Sequence, residues 1–391
     1  MSVLFPYSPQ MAGYDFGPSH PMRPERFTLA VELMQAYGLL LAEDASPANG
    51  PAARVVSPES ASAEDLLTVH SQAYIEVVVA ASEGGGGFFP RRGIGAGDTP
   101  AFHRMHEVSA LICGGTIAAL RSIVEGDVRR SMNVAGGLHH AMPERAAGFC
   151  VYNDPAVAIA VMLRDHPGLR VAYVDIDAHH GDGVEAVFAT NPDVLTISVH
   201  ESGRYLFPGT GAVLDTGIGA GKGFAINVPL PPLADDGCYR LVLREVIAPA
   251  LEAFAPDVII AQCGADTLHT DPLTHLALTL PGYAHLVRGL VEAADKVCSG
   301  RICATGGGGY DAYVGTPRAW TLLLAALLGV DPPPALPEVW RERVSGITGK
   351  AAAAELMEDS LTRLPGIAEQ TGAETASVVE RVRGASPLLR G

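Results

Sequence analysis

Five ionisable side chains crowd the segment 171–184, VAYVDIDAHHGDGV: Asp175, Asp177, His179, His180 and Asp182. They end a continuous apolar run of the kind that forms a strand buried on both faces. Charges buried at a strand end are costly unless they are paired or bind a metal. Period-two alternation sets Asp175 and Asp177 on one face, and His179 follows where strand gives way to loop. Asp177 and His179 are therefore candidate ligands of a divalent metal; an ion-paired strand end capping the next helix is the plainer reading. Two further motifs weigh for the metal. CGADTLHTDP sets Asp266 just past another buried strand, where it can complete an Asp177–His179–Asp266 site. Two carboxylates and one imidazole leave positions open for water and substrate, as a catalytic zinc needs. AGGLHHAMPERAAGFCVYND supplies His139 and His140, and Asp175 and Asp182 remain as one orienting acid for each. TGGGGY sets Tyr310 after four glycines, in a loop that lets backbone approach a substrate closely. Its phenol can polarise a carbonyl; a phosphate-cradling loop is the alternative, but no Gly-Lys-Ser/Thr follows.

Groups this far apart in sequence need a scaffold that gathers strand ends. The pattern predicts strands at 2–6, just before AGGLHHA, at 171–176, 194–199, 224–228, 257–263 and 301–306. Helices are predicted at 25–41, as two short segments within 62–81, and at 104–124, 154–165, 182–189, 236–254 and 281–298. Such alternation means an α/β protein with one mostly parallel sheet and helices on both faces. Ligands of these sheets sit beyond the carboxyl ends of the strands, where the polar motifs fall. ASPANGPAARV reads as a surface connection. The glycine-rich loop SEGGGGFFPRRGIGAGDTP reads as a functional rim, an oligomer contact or a floppy insertion. After DPPPALP the composition shifts, which divides the chain into a catalytic domain at 1–335 and a helical extension at 336–391 packed on it.

Composition excludes some partners. Hydrophobic residues make up 48% of the 391 positions, so the core is large. The formal net charge of −16 argues against nucleic acid and against an anionic membrane surface. The six cysteines have no metal-type spacing and read as buried free thiols. The first residues lack a signal-peptide pattern. No apolar stretch is read as long enough to span a bilayer; TLLLAALLGV reads as a buried helix end. A soluble, cytoplasmic protein is expected.

YDFGPSHPMRPERF, GGLHHAMPERAAGFCVYND, YVDIDAHHGDGV, FPGTG, CGADTLHTDP and TGGGGYD run in order from residue 14 to residue 311. In them the chain resembles the histone deacetylase superfamily, specifically its bacterial acetoin utilisation branch. The resemblance implies the arginase–deacetylase α/β fold and hydrolysis of the acetamide of acetyl-lysine in proteins. It implies zinc, or iron(II), on Asp177, His179 and Asp266, and a catalytic set of His139, His140, Asp175, Asp182 and Tyr310. Phe149 and Phe207 resemble aromatics that sandwich the acyl-lysine chain, with Gly148 and Leu273 beside them. Asp98 resembles a rim aspartate that holds substrate backbone, and Arg26 an arginine of an acetate-release cavity. Potassium is implied at Asp175, Asp177, His179, Ser198 and Val199, and a second ion at Phe188, Asn191 and Val194. Acetyl-CoA synthetase is the implied protein substrate. Three alternatives stand beside this one. An acetylpolyamine amidohydrolase would need an acidic, narrowed entrance. A two-manganese ureohydrolase would need a carboxylate where Leu268 stands. A non-enzymatic acyl-lysine or metal-binding module would lack part of the site.

Overall fold

The computed structural model describes residues 3–41, 51–84, 87–95, 97–359, 361 and 365–390. Gly85, Gly86 and Ala96 of the glycine-rich loop, residues 42–44, and residues 45–50 of the expected surface connection lie outside that set. The chain begins with β1 (Val3–Pro6), α1 (Glu25–Ala36), β2 (Leu40–Leu41), β3 (Ala53–Val56), α2 (Ala63–Leu66) and α3 (Gln72–Gly84). It continues with α4 (Met105–Val124), β4 (Arg130–Asn133), α5 (Asp154–Asp165), β5 (Val171–Asp175), α6 (Asp182–Phe188), β6 (Val194–Glu201) and β7 (Ala225–Leu230). Then come α7 (Asp236–Val242), α8 (Ala248–Phe254), β8 (Val258–Gln262), α9 (Leu280–Cys298), β9 (Ile302–Thr305) and α10 (Gly315–Leu328). Two helices follow, α11 (Glu338–Thr348) and α12 (Pro365–Ala385).

The described strands form one sheet in the order β2-β3-β1-β4-β9-β8-β5-β6-β7, and every neighbouring pair is parallel. This is the α/β architecture that the sequence pattern predicts. Parallel strands require crossovers, and the helices supply them while covering both faces. Strand β4 shows the two faces directly. Adjacent residues of a strand point to opposite sides; the Arg130 guanidinium donates to Leu327 O of α10, whereas the Ser131 hydroxyl donates to Ala119 O of α4. β5 and β8 are buried along their whole length, as their apolar composition demands.

Several local expectations change. The predicted helix over 25–41 stops at Ala36, because Gly38 takes a left-handed φ of +70° and turns the chain into β2. The segment taken for a surface connection yields β3, which pairs with β1 on one side and β2 on the other. The single helix expected over 236–254 is broken by a π turn at Leu243–Ile247. Pro249 lies just beyond it, where a ring without an N–H cannot continue the ordinary ladder. Helix α4 corrects the membrane reading. Its 20 residues are long and apolar enough to cross a bilayer. Here it is a core helix, packed on β1, β4, α3 and α5. All six cysteines are free and buried. Beyond residue 336, Trp340 is buried and its indole donates to Leu29 O of α1, and α12 lies against β7 and α7.

Candidate active site

The sheet order sets β4, β9, β8, β5 and β6 side by side, so the loops leaving their carboxyl ends meet over the middle of the sheet. His139 and His140 follow β4, Asp177 and His179 follow β5, Asp266 follows β8 and Tyr310 follows β9. Four segments that are remote in sequence thus supply one cluster.

Asp177, His179 and Asp266 are buried, with ligand atoms all within 4.8 Å of one another. His179 Nδ1 lies 3.1 Å from Asp177 Oδ1 and 2.9 Å from Asp266 Oδ2. The outer oxygens are held by donors. Asp177 Oδ2 accepts from Gly308 N at 2.6 Å and from Gln262 Nε2 at 2.7 Å. Asp266 Oδ1 accepts from Ala178 N at 2.8 Å. The inner oxygens and the imidazole therefore face one another with fixed orientation. Glycines make the room: a Cβ on Gly308 would lie 2.0 Å from Asp266 Oδ2, and one on Gly264 would lie 2.3 Å from Asp177 Oδ2. Burial, and then the neighbouring charge of Asp177, pushes the Asp266 carboxyl far above the usual carboxylate range. Two buried carboxylates with one imidazole carry an excess of negative charge that a divalent cation neutralises. The donor set and its preorganisation fit zinc or iron(II).

The histidine pair stands beside this trio. His139 Nδ1 is 2.7 Å from Asp175 Oδ2, and His140 Nδ1 is 2.7 Å from Asp182 Oδ1. Each acid fixes the tautomer of its own ring, which leaves the two Nε2 atoms 3.0 Å apart. The environments push the rings in opposite directions. Burial lowers the proton affinity of His139, but Asp175 and Asp177 outweigh it and raise its pKa to about 9. Burial and the charge of His139 lower His140 to about 4, against the pull of Asp182. His139 is thus the more basic ring of the pair. A cation on the trio would reduce that affinity.

Tyr310 presents its ring edge-on to His179 at 6.3 Å and to Phe149 at 5.7 Å. Burial, reinforced by Asp266 and Asp177, holds its phenol well above the ordinary value, so it stays a donor. Phe207 flanks the opposite side, 5.0 Å from the His140 ring. Gly148 separates them: a Cβ there would meet His140 Cδ2 at 2.3 Å and Phe207 Cε1 at 2.9 Å. Asp98 reaches this rim, accepting from Gly148 N at 3.0 Å. Leu273 is half-buried and its N–H donates to Asp271 Oδ1. Arg26 lies away from the rim, fully buried behind the glycine loop. It donates to Gly307 O at 2.6 Å and lies 5.2 Å from the Trp320 ring centroid.

Of the residues for which the resemblance implies potassium, Asp175 ends β5, Asp177 and His179 follow it, and Ser198 and Val199 lie within β6. Asp175 and Ser198 are register partners, and Ser198 Oγ is 2.8 Å from His200 Nδ1. Phe188, Asn191 and Val194 share one turn, in which Asn191 N donates to Phe188 O. His180, unassigned by the sequence reading, bonds Thr210 Oγ1 at 2.8 Å and so ties the FPGTG loop to the metal motif.

Sequence reasoning missed four supporting groups. The Tyr173 hydroxyl donates to Asp175 Oδ2 at 2.6 Å, and Gln262 holds Asp177. Asp154 accepts from Gly137 N and Leu138 N, just before the histidines, while Asn153 Nδ2 donates to His139 O and Ala141 O. Tyr173 lies two residues before Asp175 on the same face, a signal that period-two reasoning could have used. Gln262 carries no such signal, because its partner comes from another strand.

Comparison with known proteins agrees with this arrangement. The histone deacetylase domain profile matches residues 20–327. The chain is 40% identical over 342 residues to the acetoin utilization protein AcuC of Bacillus subtilis strain 168, covering 86% of this chain and 85% of that protein. It is 35% identical over 337 residues to the protein of the same name from Staphylococcus xylosus, covering 85% of each. The match to that of Staphylococcus aureus strain N315 is 34% over 328 residues, with 83% and 82% covered.

Proposed function

Because the chain belongs to the histone deacetylase family, a family of metal-dependent amidohydrolases, we propose that this deacetylase acts on N6-acetyl-lysine side chains of proteins and releases acetate. The observation that carries the reading is one juxtaposition. A buried Asp-His-Asp trio lies beside two histidines that each have a private carboxylate, with a protonated phenol across from them.

Asp177, His179 and Asp266 would hold the metal, zinc or iron(II), which when bound polarises the amide carbonyl and lowers the pKa of water. His140, kept neutral by burial and by His139, is the base that takes the proton of the attacking water. Asp182 holds its other nitrogen and steadies the imidazolium that forms. His139 keeps its proton through Asp175 and hands one to the leaving amine. The Tyr310 hydroxyl donates to the carbonyl oxygen as that oxygen gains charge. Phe149 and Phe207 flank the methylene chain of the substrate, and Gly148 lets it pass between them. Leu273 lines the same tunnel, Asp98 holds substrate backbone at the rim, and Arg26 serves acetate exit. Potassium at Asp175, Asp177, His179, Ser198 and Val199 has a structural role, as does a second ion at Phe188, Asn191 and Val194. The protein works in the cytoplasm, and residues 336–391 are an extension of the catalytic domain. Acetyl-CoA synthetase is the proposed substrate protein, within acetoin and acetate metabolism.

The test is purified protein assayed side by side on acetyl-lysine peptides and acetylpolyamines, with metal content measured on the same preparation. Faster turnover of acetyl-lysine peptides is expected, with loss of both metal and activity in Asp177→Ala. A strong preference for acetylpolyamines would overturn the substrate assignment. Full metal occupancy in Asp177→Ala would overturn the ligand assignment.

A further inference from the structure

Tyr310 follows four glycines, and Gly307 and Gly309 adopt φ values of +137° and +145°. Such a loop has little conformational preference of its own. Its geometry must come from partners outside the loop, and these are visible. Gly306 N donates to Asn133 O, and Gly308 N to Asp177 Oδ2. Tyr310 N donates to Asp271 Oδ2 at 2.7 Å.

Asp271 is itself buried, at 7% exposure, and its other oxygen accepts from Leu273 N at 2.9 Å. One carboxylate therefore spans the backbone of Tyr310 and that of Leu273. A parallel tie joins the neighbouring residues, where Thr270 Oγ1 donates to Asp311 Oδ2 at 2.7 Å. Side-chain bonds thus stitch the Asp266 segment to the Tyr310 segment. We propose that Asp271 is a positioning residue for the deacetylation reaction: its carboxylate sets where the Tyr310 hydroxyl lies relative to the metal trio. A buried acceptor that holds two peptide N–H groups fixes both peptides in place. An acyl carbonyl displaced by a fraction of an ångström from its donor loses much of the donor's effect.

The inference rests on the reading of Tyr310 as the carbonyl donor, so its test is a double-mutant cycle on the metal-loaded enzyme with an acetyl-lysine peptide. Asp271→Asn keeps the size of the side chain but turns an amide N–H toward one of the two peptide N–H groups. It should lower kcat by about 10- to 100-fold while KM changes little and metal content stays full. In the Tyr310→Phe background the same substitution should change kcat by less than about twofold, because the group it positions is gone. Equal losses in both backgrounds, or an unchanged kcat in the first, would sink the positioning role. A near-normal kcat in Tyr310→Phe alone would instead sink the donor reading, whatever Asp271→Asn does. Amide hydrogen exchange on the unmodified enzyme gives an answer that does not depend on how the variant folds. The Tyr310 N–H should exchange far more slowly than that of Gly309, and equal rates would overturn the proposal.

Discussion

Tyr310 is the residue whose replacement isolates one chemical effect. Tyr310→Phe removes a single hydrogen-bond donor and leaves the ring against Phe149 and His179. Loss of one donor to a developing oxyanion typically costs about 10²–10³ in turnover. The loss should fall on kcat, with metal content and melting temperature close to those of the unaltered protein. A Tyr310→Phe protein that melts earlier yet turns over normally would show the phenol to be packing alone. At this scale the sequence was most legible where side chains carry unusual chemistry. Asp177, His179, Asp266 and the histidine pair announce themselves by type and spacing. Their holders did not. Gln262 and Asp154 are ordinary polar residues whose roles depend on strands and helices that meet only in the fold.

Elements deliver these residues, and the turn after β9 does so most exactingly. Gly308 sits where any side chain would collide with Asp266 and Asp177 while its N–H holds Asp177. Gly308→Ala should therefore strip the metal. Bound metal, measured by elemental analysis after dialysis, is expected to fall well below one per chain. Circular dichroism should stay near that of the unaltered protein, because the loop lies outside regular structure. Retention of a full equivalent of metal would mean that the loop yields without moving the ligands. Helices and strands with strong periodicity were legible in the sequence; α5 falls at its predicted bounds. β2 and the π turn before Pro249 were not legible. A two-residue strand has too few positions to show alternation, and a π turn leaves the helical pattern of side chains almost unchanged.

The whole molecule answers to pH through histidines that folding keeps neutral. His70 is 1% exposed and its Nε2 accepts from Asn153 N, which also places the cap of α5. Burial lowers its pKa to about 4. A folded value below the unfolded one means that the unfolded chain binds more protons between roughly pH 6.5 and 4. Stability contributed by His70 is therefore complete above pH 6.5 and is lost as pH falls through that window, on the order of 3 kcal/mol in all. Urea unfolding in chelator at pH 7 and pH 5 should show the loss, and His70→Gln should lose less between the two. Identical pH dependence in both proteins would refute the assignment. The sheet topology carries a consequence of another kind. Among the described strands, β1 to β4 form one run and β5 to β7 another, and β8 and β9, the last of them in chain order, join the two. A ribosome working from the N-terminus thus releases two half-sheets whose inner edges, β4 and β5, are buried strands waiting for partners. Until β8 and β9 emerge, the nascent chain presents two open edges to chaperones and to other nascent chains. Because Asp266 follows β8, the Asp-His-Asp trio is complete only after that joining strand has been made.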